Sequence, residues 1–117
     1  MLKSIKNILL LTCVLVACSA QAAWVNSGIF EANDLYLNST KILNDGSFIG
    51  GHSVNIDCTE LAGKGLIKSP SINIATEVFN YTGTIECLDY CEINAKQPFN
   101  EKMFIRKGKG QFKITIG

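Results

Sequence analysis

The segment Ser47-Phe48-Ile49-Gly50-Gly51-His52-Ser53-Val54-Asn55-Ile56 reappears in altered form on both sides of itself. Before it, Gly28-Ile29-Phe30-Glu31-Ala32-Asn33-Asp34-Leu35-Tyr36-Leu37 aligns with it at an offset of 19. After it, Gly65-Leu66-Ile67-Lys68-Ser69-Pro70-Ser71-Ile72-Asn73-Ile74 aligns at an offset of 18. A further copy starts at Gly83-Thr84-Ile85-Glu86-Cys87 and resumes one residue late at Cys91-Glu92-Ile93. A recurring period of this kind constrains architecture before any local reading does.

Read by column, the copies acquire physical content. Phe30, Ile49, Ile67 and Ile85 share one position, and the small residues Ala32, Gly51, Ser69 and Cys87 share the next inward one. Leu35, Val54, Ile72 and Cys91 follow, then Leu37, Ile56, Ile74 and Ile93, then Ser39, Cys58, Thr76 and Ala95, then Ile42, Leu61 and Phe79. Polar residues alternate with them: Glu31, Gly50, Lys68 and Glu86 on one line, Tyr36, Asn55, Asn73 and Glu92 on another. Alternation of period two marks strands, whose successive side chains point to opposite faces.

One such copy cannot bury its apolar side alone. Copies stacked about 4.8 Å apart can, because each column then becomes a ladder of like side chains inside a parallel coil. A β-sandwich accommodates strands of this length but does not require the same column order four times. The sequence therefore predicts an all-β, short parallel β-helix, or β-solenoid, of four to five rungs, with glycines at its turns.

The arrangement Gly-x-Ile-x-Ala, then Leu-x-Leu, then Gly about nineteen residues on resembles the repeats of filamentous haemagglutinin and related bacterial exoproteins of two-partner secretion. The matching span runs from Gly28 to about Ala95. The resemblance implies a right-handed parallel β-helix on a bacterial surface with a role in adhesion. The Asn-Pro-rich secretion motif of those much longer proteins has no counterpart in this sequence, so shape and compartment carry over while secretion route and binding residues do not.

The chain has 117 residues, 47% of them apolar and 18% charged, enough for one modest core and too rich in Ile, Leu, Val and Phe for a disordered chain. Its first segment has Lys3 and Lys6, an apolar run over residues 8–17, and small residues ending Ala20-Gln21-Ala22, the order of a secretory signal peptide. That run is about half the length needed to span a bilayer. Cleavage after Ala22 would leave residues 23–117 as the solenoid domain. A second site competes with it: Leu15-Val16-Ala17-Cys18 resembles a bacterial lipobox, which would make Cys18 a lipidated N-terminus and the only route to a membrane. Either way the protein is expected to be exported, to the periplasm, the outer-membrane surface or the medium.

Charge is unevenly spread. Residues 23–95 carry Lys41, Lys64 and Lys68 against nine acids, whereas residues 96–117 carry six basic groups against Glu101. The period also breaks here: residues 96–101, with Pro98, read as a loop, and residues 103–105 and 112–116 read as a last, irregular rung. Its outer edge is free either to be protected by Lys109 and Lys113 or to dock a partner strand, including one from a second copy.

Chemistry is sparsely represented. Of the five cysteines, Cys58, Cys87 and Cys91 lie beyond the predicted leader, each in an inward column. Stacking puts Cys58 two rungs from the others, roughly 9.6 Å away, beyond the ~7 Å that Cα atoms tolerate for a bridge. Cys87 and Cys91, flanking Leu88-Asp89-Tyr90, are thus the disulfide candidate; the alternative is three buried thiols. His52 is the only histidine, too little for a zinc site or a nucleophile with its base. Asp57, Glu60, Glu77 and Glu86 face outward on different columns, which argues against the paired carboxylates of a carbohydrate-active β-helix. No phosphate loop, dinucleotide fingerprint or nucleic-acid module occurs. The expectation is a non-catalytic binding, adhesion or structural module without cofactor or nucleic-acid partner. Its contact line is Tyr36, Asn55, Asn73 and Glu92, its partner a surface glycan or protein. A unit self-assembling through its C-terminal edge is the second reading, a carbohydrate-active enzyme the third.

Overall fold

The computed structural model describes the backbone from Val14 to Gly117 and side chains from Ala23 onward. The predicted leader over residues 1–22, with its lipidation candidate Cys18, falls outside the residues described at that level. Strands β1 (Val14–Asn26), β2 (Ile29–Asn44), β3 (Ser47–Gly63), β4 (Leu66–Tyr81), β5 (Thr84–Ala95), β6 (Ile105–Lys107) and β7 (Gln111–Ile116) follow one another. Each pairs in parallel with its predecessor in the order β1-β2-β3-β4-β5-β6, and β7 joins β5 beside β6. This is a β-solenoid of about 5 turns.

A coil has three straight segments. In β3 these are residues 47–50, 53–58 and 60–63, separated by a first bend at Gly51 and His52 and a second bend at Thr59. The turn Lys64-Gly65 leads to the next coil. Alternation of side chains dictates the packing. In β4, Ile72, Ile74 and Thr76 are buried while Ser71, Asn73 and Ala75 are exposed. Leu37, Ile56, Ile74 and Ile93 stack in register through four coils, each at most 2% exposed. Burial of one such side chain contributes about 1.5–3 kcal/mol, so each column welds its coils together.

Four of the six predicted columns, those from Leu35 to Ile42, stand as read. The first two need correction. Phe48, not Ile49, lies between Phe30 and Ile67 and is fully buried. Ile49 faces outward between Glu31 and Lys68, so the outer line is Glu31, Ile49, Lys68, Glu86 and Lys107. Likewise Gly50, not Gly51, is the buried small residue beside Ala32. The cause is a local change of offset. Residues 47–50 pair with β2 at 18 and residues 53–62 at 19, because β3 carries one extra residue at the first bend. A one-residue slip exchanges inside for outside.

The third segments end in a polar column that the repeat also encodes. Asn26 Nδ2 donates to Asn44 Oδ1 at 2.9 Å, and Asn44 Nδ2 donates to Tyr81 Oη at 3.0 Å and to the Leu66 carbonyl at 3.0 Å. Gly63 stands between Asn44 and Tyr81, with φ +124, and a Cβ there would overlap the Asn44 carbonyl. The gap left by the glycine is what lets the amide reach the phenol two coils away. These buried groups are satisfied by one another, as burial requires.

The two ends are closed by aromatics. Trp24 stacks on Phe48 at 5.6 Å and meets Phe30 edge-on at 5.0 Å. At the far end the loop over residues 96–104 replaces a third segment, placing Phe99 4.5 Å and Phe104 5.4 Å from Phe79. The last rung is built from residues 105–107 and 111–116, a shift of two residues from the predicted start, since Phe104 turns into the core.

Candidate functional site

The second segments form the broadest regular face. On it Tyr36, Asn55, Asn73 and Glu92 lie side by side on successive coils, and β7 extends the line with Lys113. The structure thus brings together the four residues predicted as the contact line. Their backbone alternates with the buried Leu35, Leu37 column and its equivalents, which fixes every side chain outward. Asn55 Nδ2 donates to Ser53 Oγ at 3.1 Å and to the Leu35 carbonyl at 3.3 Å, while Ser53 Oγ donates to Asp34 Oδ1 at 2.7 Å. At the other end Asn94 Nδ2 donates to Glu92 Oε2 at 3.3 Å. Tyr36 is 45% exposed, a ring with one apolar face and one polar tip offered to solvent.

Beside this line the second bend sinks into a groove of about 590 Å³ that runs across the coils. Its near wall is the row Asn38, Asp57, Ala75, Asn94 and Thr115; its far wall is Thr40, Thr59, Glu77 and Lys96. The floor is the row Ser39, Cys58, Thr76 and Ala95. Hydroxyls in the floor serve the bend itself. Thr76 Oγ1 lies 3.1 and 3.0 Å from the Thr59 and Val78 carbonyls, which share its one proton, and Ser39 Oγ donates to the Lys41 carbonyl at 3.4 Å. A second hollow of about 370 Å³ lies between Tyr36, Asn55 and Asn73 and shares Asn38, Asp57 and Ala75 with the groove. The hollow, with Tyr36, Asn55 and Asn73 of the line, and the groove therefore form one concave strip with Glu92 beside it, in which the short side chain of Ala75 leaves a dip between Asp57 and Asn94. Amides, hydroxyls and carboxylates recur along it at the spacing of the coils, about 4.8 Å.

The remaining reactive groups lie elsewhere or are quenched. Cys58, Cys87 and Cys91 are buried free thiols. Burial pushes the Cys58 thiol up to about 11, partly offset by its hydrogen bond to Thr76, so it is a poor nucleophile at neutral pH. Cys87 and Cys91, the predicted bridge, are free thiols here, and Cys87 Sγ donates to the Pro70 carbonyl at 3.7 Å. Burial raises both. His52 stands on the first bend with Nδ1 3.9 Å from Asp34 Oδ2, outside the groove. Of the outward acids, Glu60 pairs with Lys41 at 3.8 Å, Asp57 and Glu77 line opposite groove walls, and Glu86 lies in the first segment. Among the described residues no three of His, Cys, Asp and Glu gather as metal ligands, and no helix is long and apolar enough to cross a membrane.

Comparison with known protein families, curated proteins and solved structures finds no match to this chain. The groove is what sequence reading missed. Its signal was present as a bend residue, Thr40, Thr59 or Glu77, two positions beyond each of Asn38, Asp57 and Ala75. Alternation alone places these residues outside but says nothing about concavity.

Proposed function

We propose that this protein is an exported, non-catalytic binding module of the bacterial periplasm or cell surface, and that its ligand is an extended, polyhydroxylated polymer such as a surface glycan. The observation that carries the reading is the concave strip. It joins an exposed aromatic ring to a row of amides, hydroxyls and carboxylates repeated coil by coil, the chemistry suited to a chain molecule with many hydroxyls lying along the solenoid axis. A repeating surface binds a repeating ligand by many weak contacts, each modest, whose sum depends on register.

The test is retention of the protein, exported and purified, on immobilised bacterial surface polysaccharides. Tyr36→Ala and Asn73→Ala are each expected to weaken retention about tenfold or more while leaving the far-ultraviolet circular dichroism and melting temperature unchanged. Retention of the well-folded variants equal to wild type, or no retention of wild type on any polysaccharide, would refute the proposal.

A further inference from the structure

We infer that the protein associates head to tail with further copies of itself, β6 and β7 of one copy pairing with the free edge of β2 in the next. This goes beyond polymer binding and rests only on removal of the leader. Among the described residues β6 and β7 pair with β5 alone, and no described strand faces their outer N–H and C=O groups. At the opposite end residues 29–32 of β2 have no partner among the described residues of β1, and residues 34–39 are covered by residues 14–19. Cleavage after Ala22 strips that cover and leaves residues 23–26 paired to residues 41–44.

The two open edges match residue for residue. The columns run Ile29 to Ile105, Phe30 to Arg106, Glu31 to Lys107, Leu35 to Phe112, Tyr36 to Lys113 and Leu37 to Ile114. One coil further on, those same partners meet across the junction. The half-buried Phe112 and Ile114 are covered by Leu35 and Leu37, and Ile105, 55% exposed, meets Ile29, 44% exposed. Arg106 already lies over the Phe104 and Phe112 rings at 5.5 and 5.2 Å, and in the stack it also faces Phe30. Lys107 faces Glu31, as Lys68 lies beside Glu86 within one molecule.

Charge selects the polarity of the contact. The C-terminal end bears Arg106, Lys107, Lys109 and Lys113, whereas Glu31 and Asp34 lie on the β2 edge. Two C-terminal edges therefore repel, while unlike ends attract. A heterologous contact of this kind does not close on itself and builds a filament that continues the binding strip from copy to copy.

The test expresses the full chain in a bacterial host and recovers the exported protein. Intact mass reads its N-terminus, and sedimentation velocity follows its size over a concentration series. The expected product starts at Ala23 and sediments as a series of oligomers. Lys107→Glu and Glu31→Lys each raise the concentration needed for association at least tenfold, and an equimolar mixture of the two variants restores it, because opposite charges then meet at every junction of an alternating filament, the native pair and the reversed pair in turn. A wild-type protein that starts at Ala23 yet stays monomeric, oligomers from a chain retaining residues 14–19, or a mixture no larger than its components would each overturn the inference.

Discussion

The first and second bends of the coil behave differently. The first holds Asn33 in β2, Gly51 and His52 in β3, Pro70 in β4, Leu88 and Asp89 in β5, and Gly108-Lys109-Gly110 before β7. From β2 to β4 the second holds a single residue, Thr40, Thr59 or Glu77, whereas in β1 residues 20–22 occupy it. From β2 to β4 the first bend thus absorbs length while the second conserves phase between segments on either side. Hydroxyls bonded to carbonyls at the second bend fix its geometry, whereas the residues of the first bend vary in type and number. The candidate binding strip lies at the constant bend, where equivalent side chains recur in step.

Length changes should break this contrast most sharply. An alanine inserted between Thr59 and Glu60 turns Leu61 outward and exposes the third segment of β3; loss of a cooperative thermal transition is expected. The same insertion between Leu88 and Asp89 lengthens a bend that already varies, and loop entropy alone costs a fraction of 1 kcal/mol. Equal melting temperatures for the two insertions would show that the bends are equivalent.

Next in size is a cavity in the shared columns. Ile74→Ala should destabilise the fold by about 2–5 kcal/mol in chemical denaturation, since Ile74 is fully buried between Ile56 and Ile93. Asn44→Ala strips partners from Asn26, Tyr81 and the Leu66 carbonyl, and about 1–3 kcal/mol should be lost. A loss below 0.5 kcal/mol would mean that water replaces the amide.

The thiol beneath the groove provides a subtler probe of the second bend. Cys58 titrates near 9 unfolded and near 11 folded, so the folded protein holds its proton more tightly. The stability that this contributes is whole below pH 9 and disappears as pH rises from 9 through 11, with a magnitude on the order of 2 kcal/mol. Cys58→Ser should flatten the stability profile across that window. Cys87, Cys91 and Tyr81, also raised by burial, continue to titrate in the variant. An unchanged profile would contradict the assigned burial of Cys58.

Most of the solenoid was legible because its core residues alternate and repeat. The columns beginning at Leu35, Leu37, Ser39 and Ile42 all lie beyond the first bend, where a single offset relates each pair of coils. Phe48 and Ile49 lie before it, are both apolar and exchange faces on a one-residue slip, so hydrophobicity could not choose between them. The line from Tyr36 to Glu92 followed from register, but the groove beside it depends on the angle of the second bend, whose position Thr40, Thr59 and Glu77 mark without revealing that angle. Asn26, Asn44, Gly63 and Tyr81 precede the turn glycines Gly28, Gly46, Gly65 and Gly83 by two residues each, a regularity hidden because three residue types fill it.

Nuclear Overhauser contacts among methyl and aromatic groups test the stacking itself. Contacts joining Ile56 to Ile74, Ile74 to Ile93 and the Phe48 ring to Ile67 are predicted, with none joining Ile49 to Ile67. Close contacts between Cα protons of antiparallel neighbours, or an Ile49–Ile67 contact in place of Phe48–Ile67, would contradict the coil register from which every surface described above is built.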